Sequence, residues 1–401
     1  MTQGSGPARA LADVRVVDFS TMIAGPYCTR WLSDLGADVI KIEPPEGDHM
    51  RHRPPLREGH STFFGHLNAG KRFASLDLKI ADAREIAESL IARADVVVEA
   101  FRPGVMKRLG LGAAELRAKY PRLIYCSISG FGQSSGWAER PAYGPVVHAA
   151  SGFDLALGSD PSGRPRSATM PLADMLTAMF ATMSIQTALL HRRATGQGTE
   201  IDVNLMDSVL NVMPYEFQSA QQPIRQPRPV YRPMQARDGW VLVTPINQRN
   251  FLNLCDALGH PEWREEPELA TESARFAHWD AFMDRIEAWT RLHDADECER
   301  ILAAGGVPCA RYRDLREVLT DPQFSERDSF GAVHDPAGEF LATRLPFAFD
   351  SFRPPTGETV AALGADTAGV LRHELGLDRE RLDRLVRQGA AICSQEHQET
   401  T

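Results

Sequence analysis

Between residues 15 and 129 the chain alternates short apolar runs with helix-like segments, and that rhythm constrains its fold more than any other feature. RVVDFS at 15–20 is an apolar run ending in a polar turn. A helix pattern at 26–35 follows, with Pro26 suited to a first turn and Gly36 to a stop. DVIKIE at 38–43 reads as a second strand. Further strand patterns fall at 73–78, 95–101 and 123–129, separated by helix patterns at 81–94 and across 105–120. Strands alternating with helices predict a parallel sheet covered on both faces. The expected fold class is α/β, with a Rossmann-like large domain.

Beyond residue 130 the character changes. Gly, Ser and Pro punctuate 130–145, and a long apolar helix pattern occupies 173–194. QQPIRQPRPVYRP at 221–233 reads as an extended linker. An Asp238, Gly239 turn then suggests a hairpin into 240–244, with helix patterns at 249–258, 279–292 and 295–304. Strand signals return at 331–333 and 341–349, and helix patterns close the chain at 365–375 and 379–388. At 401 residues one large domain with a smaller one is the natural expectation. The boundaries are 1–220 for the large domain, 221–233 for the linker, 234–321 for a smaller α+β domain, and 322–401 for a return to the large one.

A formal net charge of −9 argues against a general nucleic-acid binder, which needs clustered positive surface. The six cysteines are scattered without a C-x-x-C, which reads as free thiols in a reducing compartment. Residues 1–10 hold no apolar core for a signal peptide, and no apolar run is expected to approach the roughly 20 residues that span a bilayer. A soluble, cytoplasmic protein with neither membrane nor nucleic-acid partner is expected.

Several motifs carry chemistry in principle. The turn after the first strand pattern, TMIAGP at 21–26, holds one glycine, so the dinucleotide fingerprint is absent. GQSSG at 132–136 matches the nucleophile elbow G-x-S-x-G, but no helix pattern follows Ser134, and a loop is the better reading. His49, His52, His60 and His66 cluster in a Pro- and Arg-rich segment without thiolates or an H-E-x-x-H helix, which suits a solvated loop better than a metal. Phe101 and Arg102, with Lys107 and Arg108 behind them, follow the end of a strand, where open α/β sheets bind ligands. An aromatic with three cations suits a stacked base and phosphates, or is an ordinary charged turn. Asp174 lies in the first turn of the long apolar helix, behind Pro171. That position suits a helix cap. It equally keeps a carboxylate ionised as a nucleophile, and spacing alone does not decide.

LADVRVVD at 11–18, AGP at 24–26 and LGADVIKIE at 35–43 resemble the opening of the family III CoA-transferases, the CaiB/BaiF group. The resemblance continues through NAGKR at 68–72, ADVVVEAFRPG at 94–104, SGFGQ at 129–133, Ala173 with Asp174, LHRRATGQG at 190–198, DVNLMDS at 202–208, GGVP at 305–308 and DP at 321–322. It implies an interlocked homodimer whose large domain is built from both chain ends. It implies Asp174 as nucleophile, with Met22, Ile23, Ala24, Lys71, Arg72, Phe101, Arg108 and Tyr143 around CoA. The substrates implied are an acyl-CoA and a carboxylic acid, with no permanently bound cofactor and no metal. CoA would move through an aspartyl-CoA thioester, with backbone N–H groups near Gly130, Gly132 and the start of the Asp174 helix as donors to the oxyanions.

The same superfamily contains α-methylacyl-CoA racemases, which work with a histidine and the matching aspartate. That histidine falls on Tyr143 here, and His148 is five residues on, so the resemblance favours transfer over racemisation. Formyl-CoA:oxalate transferases carry glutamine where this chain has Ile23. Gly144 and His148 also replace common family residues of the acyl pocket, which implies a different acyl group. Arg164 and Arg166 read either as loop charges or as partners for a second carboxylate of a diacid. A serine hydrolase at Ser134 and a CoA-binding subunit without activity are the remaining alternatives.

Overall fold

The computed structural model describes residues 9–222 and 230–394. Residues 1–8 and most of the expected linker, 223–229, lie outside the described residues. The chain divides into two compact units, Met1–Gln221 with Glu326–Thr401, and Gln222–Ser325.

The large unit is built on a seven-stranded sheet. In chain order its elements are β1 (Arg15–Asp18), α1 (Ala24–Asp34), β2 (Asp38–Glu43), β3 (Arg72–Leu76), α2 (Ala81–Ile91), β4 (Val96–Glu99), β5 (Ile124–Ser129), α3 (Leu172–Thr195), β6 (Glu200–Asn204) and β7 (Ala391–Ile392). Across the sheet the order is β7-β3-β2-β1-β4-β5-β6. Strands β1 to β6 run parallel, with Val17 of β1 opposite Ile40 of β2 and Val97 of β4; only β7 is antiparallel, on β3. The 3-2-1-4-5-6 order of the parallel strands is that of the doubly wound Rossmann sheet.

The apolar runs are continuous because both faces are covered. Val96 and Val98 join the cluster containing Cys28 and Leu32 of α1 and Ile185 of α3. Val97, one residue out of phase, joins Ala87 of α2 and Leu371 on the other face. Burying each of these valines contributes roughly 1.5–3 kcal/mol. Helix α3 lies against α1, and its Ala178 and Ala181 are fully buried, small side chains that let the two helices approach closely. Contrary to the sequence expectation, α3, at 24 residues, is long and apolar enough to cross a bilayer; one of its faces is buried in the large unit.

The C-terminal segment completes this unit. The Phe73 N–H donates to the Asp366 carboxylate (3.1 Å) and the Ser75 N–H to the Thr367 hydroxyl (3.0 Å), tying helix Thr367–Leu375 to β3 beside the β7 pairing. The strand expected at 341–349 stops early, in a hairpin of Phe330–Asp335 with Gly338–Thr343. Pro346, which has no N–H for a ladder, lies just beyond it.

The smaller unit holds a three-stranded antiparallel sheet, Met234–Gln235, Trp240–Val243 and Cys309–Arg311. Helices Gln248–Leu258, Trp279–Thr290 and Ala295–Ala304 supply its core around Phe251, Phe282 and Cys298. The hairpin expected at Asp238 and Gly239 is present, and Asp238 accepts from the Ala295 N–H (2.8 Å) at a helix start.

Candidate active site

In a doubly wound sheet the strand order reverses beside β1, so the turns leaving β1 and β4 part and open a crevice at the carboxyl ends. Thr21, Met22, Ile23 and Ala24 after β1 and Ala100, Phe101, Arg102 and Pro103 after β4 line a cavity of about 120 Å³ there. Ile128, Ser129 and Gly130 at the end of β5, Arg140, Tyr143 and Asp174 also line it.

The first turn is held from beneath by buried charges. Asp18 accepts from the Ser20 N–H (2.9 Å), the Thr29 hydroxyl (2.6 Å) and the Lys71 ammonium (3.1 Å). Lys41 donates to the Ser20 carbonyl (2.6 Å) and pairs with Asp48 (3.1 Å), which accepts from the Met22 N–H (3.3 Å). Burial alone would raise the Asp18 carboxyl, but Lys71 and Lys41 with the two hydroxyls bring it down to about 2. This network supports an unfavourable backbone, since Met22 has φ 68°, in the left-handed region. Gly25 is required because a Cβ there would overlap Ser20. In the second turn, Glu99 accepts from the Phe101 N–H (2.9 Å), and burial pushes its carboxyl up to about 7.

Asp174 enters from α3. The N-cap of that helix is Pro171, which makes no side-chain capping bond. The cap reading of Asp174 is therefore replaced: the Ala173 N–H donates to Nε2 of His148 (3.0 Å). His148 is fully buried and rests against Phe153, with ring centroids 5.1 Å apart. Accepting through Nε2 puts the proton of the neutral ring on Nδ1, which has no partner among the described residues; burial lowers the pKa of the ring. His148 stands on helix Gly144–Ala150, whose first residue abuts the carboxylate: a Cβ on Gly144 would overlap Oδ2 of Asp174. Burial pushes the Asp174 carboxyl up to about 6, with no cation to offset it. At neutral pH it is still mostly ionised, and its oxygens are uncommitted to any ion pair among the described residues.

A second cavity, of about 500 Å³, also has this carboxylate in its lining. Met22, Ile23, Tyr143 and Asp174 belong to both cavities; His49, Arg53, Gly144, Pro145 and Ala168 to Pro171 line only the second. Asp174 is thus part of the wall shared by two open spaces.

Of the residues singled out in the sequence, Met22, Ile23, Ala24, Phe101, Tyr143 and Asp174 come together here. Three do not. Lys71, only 4% exposed, is spent on Asp18, the Pro26 carbonyl and Asn68 under the turn. Arg72 stands at the amino end of β3, paired with Asp38 and Glu374 (2.8 Å), away from the carboxyl ends where the cavity lies. Arg108 is exposed on the short helix Val105–Arg108, folded back over Gly104 and outside the lining. Arg102, its neighbour in the same motif, lines the cavity instead.

Other expectations are also corrected. The Gly132 N–H is engaged by the Ser129 hydroxyl (3.0 Å) and the Ala173 N–H by His148, so neither is a free oxyanion donor. Ser134 sits exposed in a bend with no helix behind it, and the nucleophile elbow does not form. Arg164 and Arg166 belong to an exposed loop closed by backbone bonds to Asp160 and Gly158, and neither lines the cavities. Arg53 in the second cavity and Arg140 in the first were not anticipated, and His49, expected in a solvated loop, lines the second. Arg53 and His49 lie in a Pro- and Arg-rich segment without periodicity, part of which folds as a short 3₁₀ helix, His49–His52. Among the described residues no group of three or more His, Cys, Asp or Glu is arranged to hold a metal.

Comparison with known proteins finds similar sequences and structures. The model of CoA-transferase family III matches residues 11–367. The succinyl-CoA–D-citramalate CoA-transferase of Chloroflexus aurantiacus is 32% identical over 391 residues, covering 94% of this chain and 96% of that one. A formyl-CoA:oxalate CoA-transferase of Escherichia coli is 31% identical over 406 residues, covering 93% and 97%. Among solved structures, a CaiB/BaiF family protein from Brucella suis superposes with a TM-score of 0.79 at 31% identity, covering 90% of this chain and 98% of that one. The protein Rv3272 from Mycobacterium tuberculosis gives 0.82 at 27% identity, covering 90% and 99%.

Proposed function

The chain belongs to CoA-transferase family III, and from that premise we propose that it moves CoA from an acyl-CoA to a carboxylic acid through a covalent thioester on Asp174. The observation that carries this reading is the position of Asp174 in the lining of both cavities, uncapped and unpaired. The cavity at the strand ends, with Phe101 and Arg102, receives the thiol end of CoA; the larger one receives the acyl group.

A carboxylate oxygen of Asp174 attacks the thioester carbonyl, and the C–S bond breaks to leave a mixed anhydride and CoA thiolate. The thiolate attacks Cγ of Asp174 and expels the first acid as its carboxylate, leaving aspartyl-CoA. The incoming carboxylate attacks Cγ, re-forming an anhydride and thiolate. The thiolate then takes the new acyl carbon and restores the Asp174 carboxylate. Anhydride and thioester are close in energy, so the protein's contribution is mainly position. His148 holds the first turn of α3, and Gly144 admits the carboxylate edge.

Incubation with an acyl-CoA followed by hydroxylamine is expected to convert Asp174 to its hydroxamate, read by peptide mass spectrometry. Absence of that adduct in active enzyme would refute the covalent route.

The working form we propose is the interlocked homodimer that the family resemblance implies. Exposed Met179, Met183 and Leu190 along α3 support it, as apolar surface that a second chain would cover. Native mass spectrometry giving only monomer would exclude it.

A further inference from the structure

We propose that the larger cavity grips its acid at both ends, and that Arg53 selects a dicarboxylic acid by pairing with the carboxylate remote from Asp174. The inference rests on the reading of Asp174 as the group that meets the reacting carboxylate.

Three nearby arginines are committed elsewhere. Arg51 makes two bonds to Glu43 (2.8 and 2.7 Å) and lies 4.1 Å from the Phe64 ring centroid; Arg57 pairs with Asp335 (2.7 Å); Arg30 pairs with Asp34 (3.1 Å). Arg53 is an exposed residue of the cavity lining, and its guanidinium has no hydrogen bond, ion pair or ring contact among the described residues, so it is open to a ligand from solvent. The cavity's one acidic group, Asp174, makes no hydrogen bond or ion pair with it. The guanidinium therefore stands beyond pairing distance of Asp174.

Much of the rest of the lining is apolar, with Met22, Ile23, Pro145, Met170 and Pro171. The cavity thus combines apolar surface for a carbon chain with a carboxylate and an exposed, unpaired cation in one lining. At about 500 Å³ it is of the size that small-molecule sites occupy. A monocarboxylic acid would leave Arg53 unmatched. A diacid supplies an anion to it while presenting its other end to Asp174. Arginine suits this because its planar fork meets a carboxylate in two parallel bonds. Arg164 and Arg166, for which the sequence suggested this role, are not in the lining.

The test uses the full-length enzyme with acetyl-CoA as donor and a matched pair of acceptors, succinate and butyrate. They share a four-carbon chain and differ in the second carboxylate. The wild type is expected to prefer succinate. R53Q should raise KM for succinate roughly ten- to a hundredfold, the range for a charge-assisted hydrogen bond, while KM for butyrate and aspartyl-CoA formation stay unchanged. R53K should recover part of the loss. Equal effects on both acids, or none, would overturn the proposal, including the case in which a partner chain already neutralises Arg53. Calorimetric titration of D174N with the two acids, with and without R53Q, reads the same preference without chemistry. It therefore separates failure at Arg53 from failure of the covalent reading.

Discussion

Gly144 and Asp174 meet at the starts of two helices, with the Gly144 α-carbon so close to Oδ2 that a Cβ has no room. The missing side chain is therefore part of the geometry of the nucleophile. In G144A either the carboxylate swings away or the helix start shifts. We expect kcat to fall about a hundredfold, the scale of a 1 Å misplacement, with the fold retained by circular dichroism. Unchanged kcat would mean that Asp174 needs no such placement.

Asp174 also sets a pH dependence. Its carboxyl is raised from 3.8 to about 6, so the nucleophilic form is lost as pH falls through about 6, and single-turnover adduct formation should rise with pH to a plateau above that value. Stability runs the other way. The folded state holds this proton more tightly than the unfolded chain, so ionisation costs the fold roughly 3 kcal/mol, a penalty that grows between about pH 4 and 6 and persists above. D174N should therefore melt higher than wild type at pH 8 but not at pH 4, while forming no adduct.

His148 positions rather than reacts. H148A strands the Ala173 N–H and opens a hole, which we expect to cost about 1–3 kcal/mol and to lower kcat with little change in KM for the acyl-CoA. H148Q, whose amide oxygen can accept the same bond, should recover much of kcat. Failure of that rescue beside a well-folded protein would show that the imidazole does more than accept.

Lys71 separates a structural cation from a ligand-binding one. K71M removes the direct ion pair of buried Asp18 and leaves it only Lys41 nearby and its hydroxyl donors, a change of up to about 3–5 kcal/mol. The expected outcome is a large drop in melting temperature. Weakened CoA binding with an unchanged melting temperature would return Lys71 to the ligand.

The difference between Lys71 and Phe101 marks what could be read from the residues alone. The parallel sheet was legible, because both faces of β4 and β5 are buried and their apolar runs are unbroken. Phe101 was legible as the first residues after such a run are the ones a doubly wound sheet presents to a ligand. Lys71 looked equivalent in composition, but it points under the turn, and direction has no periodic signature. The helix Gly144–Ala150 opens with Gly and Pro and spans seven residues, too few for a periodic pattern, so only the family resemblance pointed to Gly144 and His148, and their contacts with Asp174 and Ala173 stayed hidden. Arg53 stayed hidden for a related reason, since its irregular segment reaches the cavity through tertiary packing. Asp174 was legible as a helix-start aspartate; that His148 performs the capping and frees it is a matter of contacts 25 residues apart.

The pairing of β7 with β3 carries a consequence for synthesis. Strand β3 emerges early, but the neighbour that closes its outer side, at Ala391 and Ile392, is made about three hundred residues later. Until then the nascent sheet presents an open strand edge to every other chain nearby, the kind of edge that templates aggregation. Ribosome-bound chains lacking the final strand should be the stage at which this protein most needs a chaperone.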